Sequence, residues 1–489
     1  MGKIGFDNEK YLEMQSEKIL ERINTFGDKL YLEFGGKLFD DFHASRVLPG
    51  FEPDSKIKML SQLKDKAEIL IVINASDIEK NKTRSDYGIT YDVEVFRMIE
   101  LFRAKEFYVG SVVLNCFAEQ PSAIAFKKRL ELAGITVYCH YPLEGYPFDV
   151  EKIVSENGYG KNQYIVTTKP LVVVTAPGPG SGKMATCLSQ LYHENKRGIK
   201  AGYAKYETFP VWNLPLAHPV NAAYEAATAD LADLNMIDPF HMEATGEMAV
   251  NYNRDIEIFP VLSAMMTRIM GKSPYKSPTE MGVNMAGYCI VDDQAVREAS
   301  KQEIIRRYYD MQIDYIKGNV PKEVVSKIDI LMQKMNISIN DRKVVKEALN
   351  KELQTGGPSA AIELPNGKLV CGKTRNLMGA SAAALLNALK ELGNIEDVDI
   401  ISSSVIEPVQ ELKVKHMGSK NPRLHTDEIL LLLAISAVTN PLAKIALDQL
   451  PKLKGSQFHS SVIISHVDKK TLKKLGVCVT YEPKREANV

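Results

Sequence analysis

The chain has little of what secreted, membrane-bound or nucleic-acid-binding proteins carry in quantity. Its six cysteines, Cys116, Cys139, Cys187, Cys289, Cys371 and Cys478, have no close pairs. That spacing is neither a zinc site nor a disulfide framework, and it fits reduced, mostly buried thiols. Net charge is absent too: Lys+Arg and Asp+Glu each number 61. Without a basic field the chain is not expected to bind nucleic acid or an anionic membrane. The longest apolar run, Ile429 to Val438, is far short of a membrane span. The opening Met-Gly-Lys-Ile-Gly-Phe-Asp has no apolar core, so no signal peptide is expected. Gly2 lacks the hydroxyl four residues on that favours myristoylation. A cytoplasmic protein with a small-molecule partner is the expectation.

What is present is an ordinary globular composition, 45% hydrophobic and 25% charged, over 489 residues. That length predicts two to three domains. Apolar β-branched stretches predict strands at 29–34, 69–74, 107–115, 135–140, 171–175 and 201–206. Helical patterns lie between them, at 92–104 and 122–133 among others. This alternation predicts an α/β fold with a mostly parallel sheet covered by helices on both faces. Residues 1–325 read as this α/β part, with 1–150 and 165–325 as candidate subdomains. Residues 326–354 read as a helical hinge. Residues 355–489 read as a smaller C-terminal α+β domain, with a hairpin turning at Asn366-Gly367. In that domain the pattern predicts a strand at 398–403, a helical region at 425–450 capped by Thr426, and strands at 459–465 and 477–481.

Ligands of such sheets bind beyond the carboxyl ends of strands. One of those ends stands out. Leu171 to Thr175 runs into Ala-Pro-Gly-Pro-Gly-Ser-Gly-Lys183, and a helical segment follows. Strand, glycine loop, lysine and helix form a phosphate cradle, with backbone N–H groups, a helix N-terminus and an ammonium all facing an anion. The match to the P-loop pattern is incomplete. Pro177 replaces the first glycine and Met184 replaces the hydroxyl that binds Mg²⁺. The phosphate ligands expected are Gly178, Gly180, Ser181, Gly182 and Lys183, with Thr186 or Ser181 standing in for the missing hydroxyl.

A second dense segment runs from Lys205 to Asp255 and contains the only tryptophan, Trp212. Asp230 and Asp233 lie three apart on a helical stretch that also holds Glu225. Asp238, His241 and Glu243 form a carboxylate–imidazole group able to hold a divalent ion or activate water. Asp238 also reads as a helix cap before Pro239. Arg254 could neutralise a transferring phosphoryl group or form a loop salt bridge. A basic cluster, Lys80 to Arg84 with Asp86 beyond it, could meet phosphate or be a solvated loop. Arg423 and His425 precede a helix, whose entry explains most of their pattern.

The stretches Phe34-Gly-Gly-Lys37, Val174 to Lys183, Lys205 to Asn213, Asp238-Pro-Phe-His241, Asn251 to Asp255 and Asn421 to His425 together resemble a bacterial family known as domain of unknown function 1846. The resemblance covers essentially the whole chain. It implies a cytosolic bacterial protein with a Rossmann-like, P-loop-like N-terminal part and a smaller C-terminal part. It carries over only the loop Gly178 to Lys183, as an expected phosphate site. The resulting expectation is a nucleotide- or phosphometabolite-binding enzyme, an NTP hydrolase or phosphotransferase using Mg²⁺ and ATP or another nucleoside triphosphate. Lys183, Asp238, His241 and Arg254 are its expected catalytic groups, and Asp230 and Asp238 its metal ligands. Two alternatives stand beside it. One is a sensor that binds a phosphorylated ligand without turnover. The other is a metal-dependent hydrolase built on Asp238, His241 and Glu243. The balanced charge and the helical region from His425 also fit a homo-oligomer.

Overall fold

The computed structural model describes residues 4–27, 29–84, 88–231 and 233–486. Asp86 and the first three residues, read above, lie outside the described residues. Residues 4–225 and 233–297 form one compact unit, and residues 226–231 and 298–486 form another.

In the first unit the strands are β1 (Lys29–Phe34), β2 (Ala67–Asn74), β3 (Tyr108–Asn115), β4 (Thr136–Cys139), β5 (Leu171–Thr175) and β6 (Ala201–Tyr206). A short hairpin, β7 (Asn235–Ile237) and β8 (Val250–Tyr252), stands apart, and β9 (Gly282–Val283) completes the sheet. The sheet order is β9-β6-β1-β5-β2-β3-β4, and every pairing is parallel. Near-continuous apolar runs are what a parallel sheet buried on both faces requires. Strand alternation then sends Leu30, Leu32, Ile69, Ile71, Leu171 and Val173 to one face. There they pack with α1 (Asn8–Phe26), α2 (Ser55–Ser61), α3 (Tyr91–Ala104) and α4 (Pro121–Leu132). Tyr31, Leu70, Val72, Val172 and Val174 face the other side. They meet α5 (Lys183–Lys196) and α7 (Asn253–Met270), and the short α6 (Pro239–Thr245) lies between these two in the chain. Each such aliphatic side chain, fully buried, contributes about 1.5–3 kcal/mol.

The winding locates the crevice. From β1 the chain moves past the position of β5 to β2, placing α2 on the first face. From β5 it moves the other way, past β1 to β6, placing α5 on the second. Adjacent strands whose connections leave in opposite directions open a crevice at their carboxyl ends. Here that crevice lies between Phe34-Gly35-Gly36 and the glycine turn.

His140, just after β4, adds a pH dependence. Its ring is buried, with Nε2 3.1 Å from the carbonyl oxygen of Gln163. Burial pushes its pKa down to about 4. In the unfolded chain the ring titrates near about 6.5, so as pH falls the unfolded state takes up the proton first. The stabilisation is complete above about pH 6.5 and is lost as pH drops toward 4, a swing of ~3 kcal/mol. His193, also pushed down by burial, acts in the same sense. His140→Gln is expected to flatten the fall in urea midpoint across this range. An unchanged slope would place the acid sensitivity elsewhere.

The second unit holds a four-stranded sheet of β10 (Ser359–Glu363), β11 (Leu369–Lys373), β12 (Gln457–Ser460) and β13 (Cys478–Tyr481), ordered β11-β10-β12-β13. β12 and β13 are parallel and the other pairs antiparallel. Its helices include α8 (Lys343–Thr355) and α9 (Ala380–Leu392). The C-terminal part of the segment read as a hinge, α8, is instead core: Val344 and Ala348 pack on Ala361. Residues 398–403 are not a strand. Ser402 accepts a hydrogen bond from the N–H of Ser404 and caps α10 (Ser403–Lys415), so local capping outweighs a two-residue apolar run. The region at 425–450 is divided into α11 (Thr426–Ser436) and α12 (Pro441–Leu447) by Asn440, which caps the second. The cap of α11 is His425 rather than Thr426. Among the described residues no helix is long and apolar enough to cross a membrane.

Candidate functional site

The glycine turn between β5 and α5 is held from behind. The side-chain amide of Asn115, at the end of β3, donates to the carbonyls of Ser181 (3.0 Å) and Gly182 (2.9 Å) and to Thr186 Oγ1 (3.0 Å). Ser181 Oγ donates to the carbonyl of Gly178 at 2.7 Å, and Thr186 Oγ1 to that of Gly182 at 3.0 Å. Both hydroxyls are buried and turned into the protein. The N–H groups of Gly180, Gly182 and Lys183 meet no protein acceptor among the described residues. Gly182 caps α5 with a φ of 88°. A Cβ there would lie 2.3 Å from Asn115 Nδ2, whereas one at Gly180 (φ 75°) meets nothing within 4 Å. Gly182→Ala is therefore expected to cost about 2–3 kcal/mol, from backbone strain plus overpacking. Gly180→Ala should cost only about 1–2 kcal/mol, from strain alone. Equal urea midpoints for the two variants would refute the Asn115 latch.

Five charged side chains gather at the neighbouring strand ends. Alternation puts Glu33 of β1 and Lys205 of β6 on the face shared with α5, and the two residues are register partners. Lys183 Nζ lies 3.9 Å from Glu33 Oε1, and Tyr203 donates its hydroxyl to Glu33 Oε2 at 2.7 Å. Lys205 bonds to Asp255 and lies 2.8 Å from Glu207 Oε1. Tyr252 donates to the same Glu207 oxygen at 2.7 Å. Burial works against the charge of Lys205, but Asp255, Glu207 and Glu33 hold it firmly cationic. Burial pushes the Glu207 pKa up to about 7 despite the opposing pull of Lys205. The glycine turn and Lys205 sit at the ends of strands two places apart, roughly 10 Å across.

Of the other groups read from the sequence, Asp238 and His241 are engaged elsewhere and Glu243 is exposed. Asp238 caps α6: Oδ1 accepts the N–H groups of Phe240 and His241, and Oδ2 accepts from Thr279 N and Oγ1. His241 Nδ1 lies 3.1 Å from Ser277 Oγ, and Glu243 is exposed. Among the described residues no three His, Cys, Asp or Glu side chains come together as a metal site. The carboxylate–imidazole group is thus a capped helix start, because a proline-led short helix needs its acceptor at Asp238. Asp230 is exposed in a short 3₁₀ turn, Ala229–Leu231, and belongs to the second unit. Arg254 is bound to buried Asp233, with Nη2 at 2.8 Å. In the basic cluster, Arg84 pairs with buried Glu94, and Lys82 lies 3.3 Å from Asp77. His425 is held by Asp468 at 3.0 Å.

Glu33, Asn115, Glu207, Tyr252 and Asp255 are not among the site residues expected from the sequence. Glu33 did leave a signal: it is the one acid in a strand buried along its whole length. Asp255 sits in the motif from which its neighbour Arg254 was chosen.

Fold and site together define a doubly wound α/β protein with a lysine-ended glycine turn at its switch point and a second, mixed-sheet unit. The chain belongs to the family described as Domain of unknown function DUF1846, whose N-terminal model matches residues 4–336 and whose C-terminal model matches residues 340–488. It is similar to a UPF0371 protein of Streptococcus thermophilus (strain ATCC BAA-250 / LMG 18311), 57% identical over 484 residues, covering 99% of this chain and 98% of the relative. A UPF0371 protein of Streptococcus pneumoniae (strain JJA) is 57% identical and one of Streptococcus uberis 56%, each over the same shares of both chains.

Proposed function

We propose that the first unit binds a nucleoside triphosphate or another phosphorylated metabolite at the glycine turn and acts on it by phosphoryl transfer or hydrolysis. One observation carries the reading. Among the described residues the N–H groups of Gly180, Gly182 and Lys183 have no protein acceptor, at the mouth of a switch-point crevice beside the Lys183 ammonium. Such a nest satisfies phosphate oxygens by geometry and charge together. Ser181 and Thr186 shape the turn from inside. Asp238, His241 and Arg254 have no part in the proposal, because their polar groups serve the fold. Glu207 takes the acid–base role, since a pKa of about 7 suits a group that exchanges protons near neutral pH. Mg²⁺ would arrive with the ligand's phosphates.

The test is thermal stabilisation and phosphate release measured together on the full chain, over a panel of nucleotides with and without Mg²⁺. Stabilisation accompanied by release supports an enzyme. No stabilisation by any phosphorylated compound rejects the proposal. One observation favours a second reading, a sensor that binds without turnover. The buried hydroxyls of Ser181 and Thr186 leave the turn without the oxygen that usually holds the metal. Stabilisation without release would select it.

A further inference from the structure

We infer that Glu33 is the carboxylate through which a divalent cation is held against the phosphates of the ligand; this rests on the phosphate reading of the glycine turn. Position is the first argument. β1 lies directly beside β5, and Glu33 is the register partner of Val174, one residue before β5 ends. Its carboxylate therefore stands at the crevice where the turn opens. Orientation is the second. The Tyr203 hydroxyl fixes Oε2, while Oε1 faces Lys183 Nζ at 3.9 Å, too far for a hydrogen bond. Among the described residues Oε1 accepts no hydrogen bond, and beyond its long ion pair with Lys183 it is open to a ligand. A metal-binding carboxylate is ordinarily braced in this way by a hydrogen bond to its other oxygen.

Charge is the third argument. Among the described residues two ammoniums, Lys183 and Lys205, and three carboxylates, Glu33, Asp255 and Glu207, are linked here in one chain of contacts. Even with Glu207 protonated these five sum to zero. A polyphosphate entering among them gains no net positive charge from the five, and a cation bound with it would offset that. Mg²⁺ bound with phosphate needs one or two protein carboxylates, the rest of its shell being phosphate oxygen and water. With Ser181 and Thr186 turned inward and Asp255 and Glu207 engaged by Lys205, Glu33 is the carboxylate that faces the turn. Lys183 would then hold phosphate oxygens directly and Glu33 would hold them through the metal.

The experiment is calorimetric binding of inorganic triphosphate and of ATP to the full chain, with and without Mg²⁺, for wild type and Glu33→Gln. Wild type is expected to bind about tenfold or more tightly with Mg²⁺. Glu33→Gln, relieved of a negative charge near the anion, should bind the metal-free probes at least as well and lose most of the gain from Mg²⁺. A residue that only shaped the crevice would weaken binding with and without metal alike. Tyr203→Phe, which frees the carboxylate without removing it, should reduce the Mg²⁺ gain while leaving metal-free binding intact, and serves if the glutamine variant fails to fold. Tightening by Mg²⁺ that is equal in wild type and variants, or wild-type binding indifferent to Mg²⁺, overturns the role of Glu33 alone. No binding of either probe under any condition removes the phosphate reading, and this inference with it.

Discussion

Replacing Lys183 by alanine is expected to weaken triphosphate binding by about 100-fold or more, equivalent to ~2.7 kcal/mol, and to reduce any turnover at least as much. The ammonium stands at the first residue of α5, where the helix dipole and the free N–H groups already favour an anion. A full positive charge added in a half-enclosed crevice acts there with little screening. The fold, by contrast, should hardly notice the loss. Among the described residues Lys183 makes one ion pair, to Glu33 at 3.9 Å, and a long pair of that kind contributes about 1 kcal/mol or less. Glu33 keeps its bond from Tyr203 and the nearby charge of Lys205. The measurement is a binding titration paired with the unfolding midpoint of the empty protein. Undiminished affinity in a folded Lys183→Ala chain would mean that the turn does not bind phosphate.

The sequence was most legible where the physics is local. Continuous β-branched runs announced the parallel strands, because a strand buried on both faces has no polar side to show. Asn366-Gly367 announced the β10–β11 hairpin, whose turn needs Gly367 at a φ of 83°. The glycine loop was visible because its residues are consecutive. The charged ring was not, because its members sit on β1, β6 and α7 and meet only through the sheet order and the alternation of side chains. The bonding partners of Asp238, His241 and Arg254 were hidden for the same reason. Asp238 and His241 have the residue types of a metal site, yet the decisive fact is that Thr279, 41 residues later, closes over the second oxygen of Asp238. Arg254 forms a salt bridge to Asp233, a partner that no spacing rule names, because it lies in a loop 21 residues before the helix start.

Lys205→Met should be the most destabilising single change at this site, by about 3–5 kcal/mol. Lys205 is buried between Asp255 and Glu207, and removing it leaves two carboxylates facing each other out of water. Methionine fills most of the space, so the loss measures charge rather than a cavity. The pH dependence identifies the cause. Without the ammonium, Glu207 loses the pull that opposes burial, so its folded pKa rises further above its unfolded value. Its protonated form suits the fold, so the deficit relative to wild type is small in acid and grows as pH rises from about 4.5 toward 7 and above. Wild type carries a milder version of the same slope through Glu207, whose folded pKa of about 7 lies above its unfolded value. Adding Asp255→Asn to Lys205→Met removes one of the exposed charges. It should recover about 2 kcal/mol, so the two substitutions are strongly non-additive. Full additivity, or a deficit independent of pH, would show that the ion cluster is solvated, and the crevice would lose the low-dielectric setting that gives Lys183 its grip on phosphate.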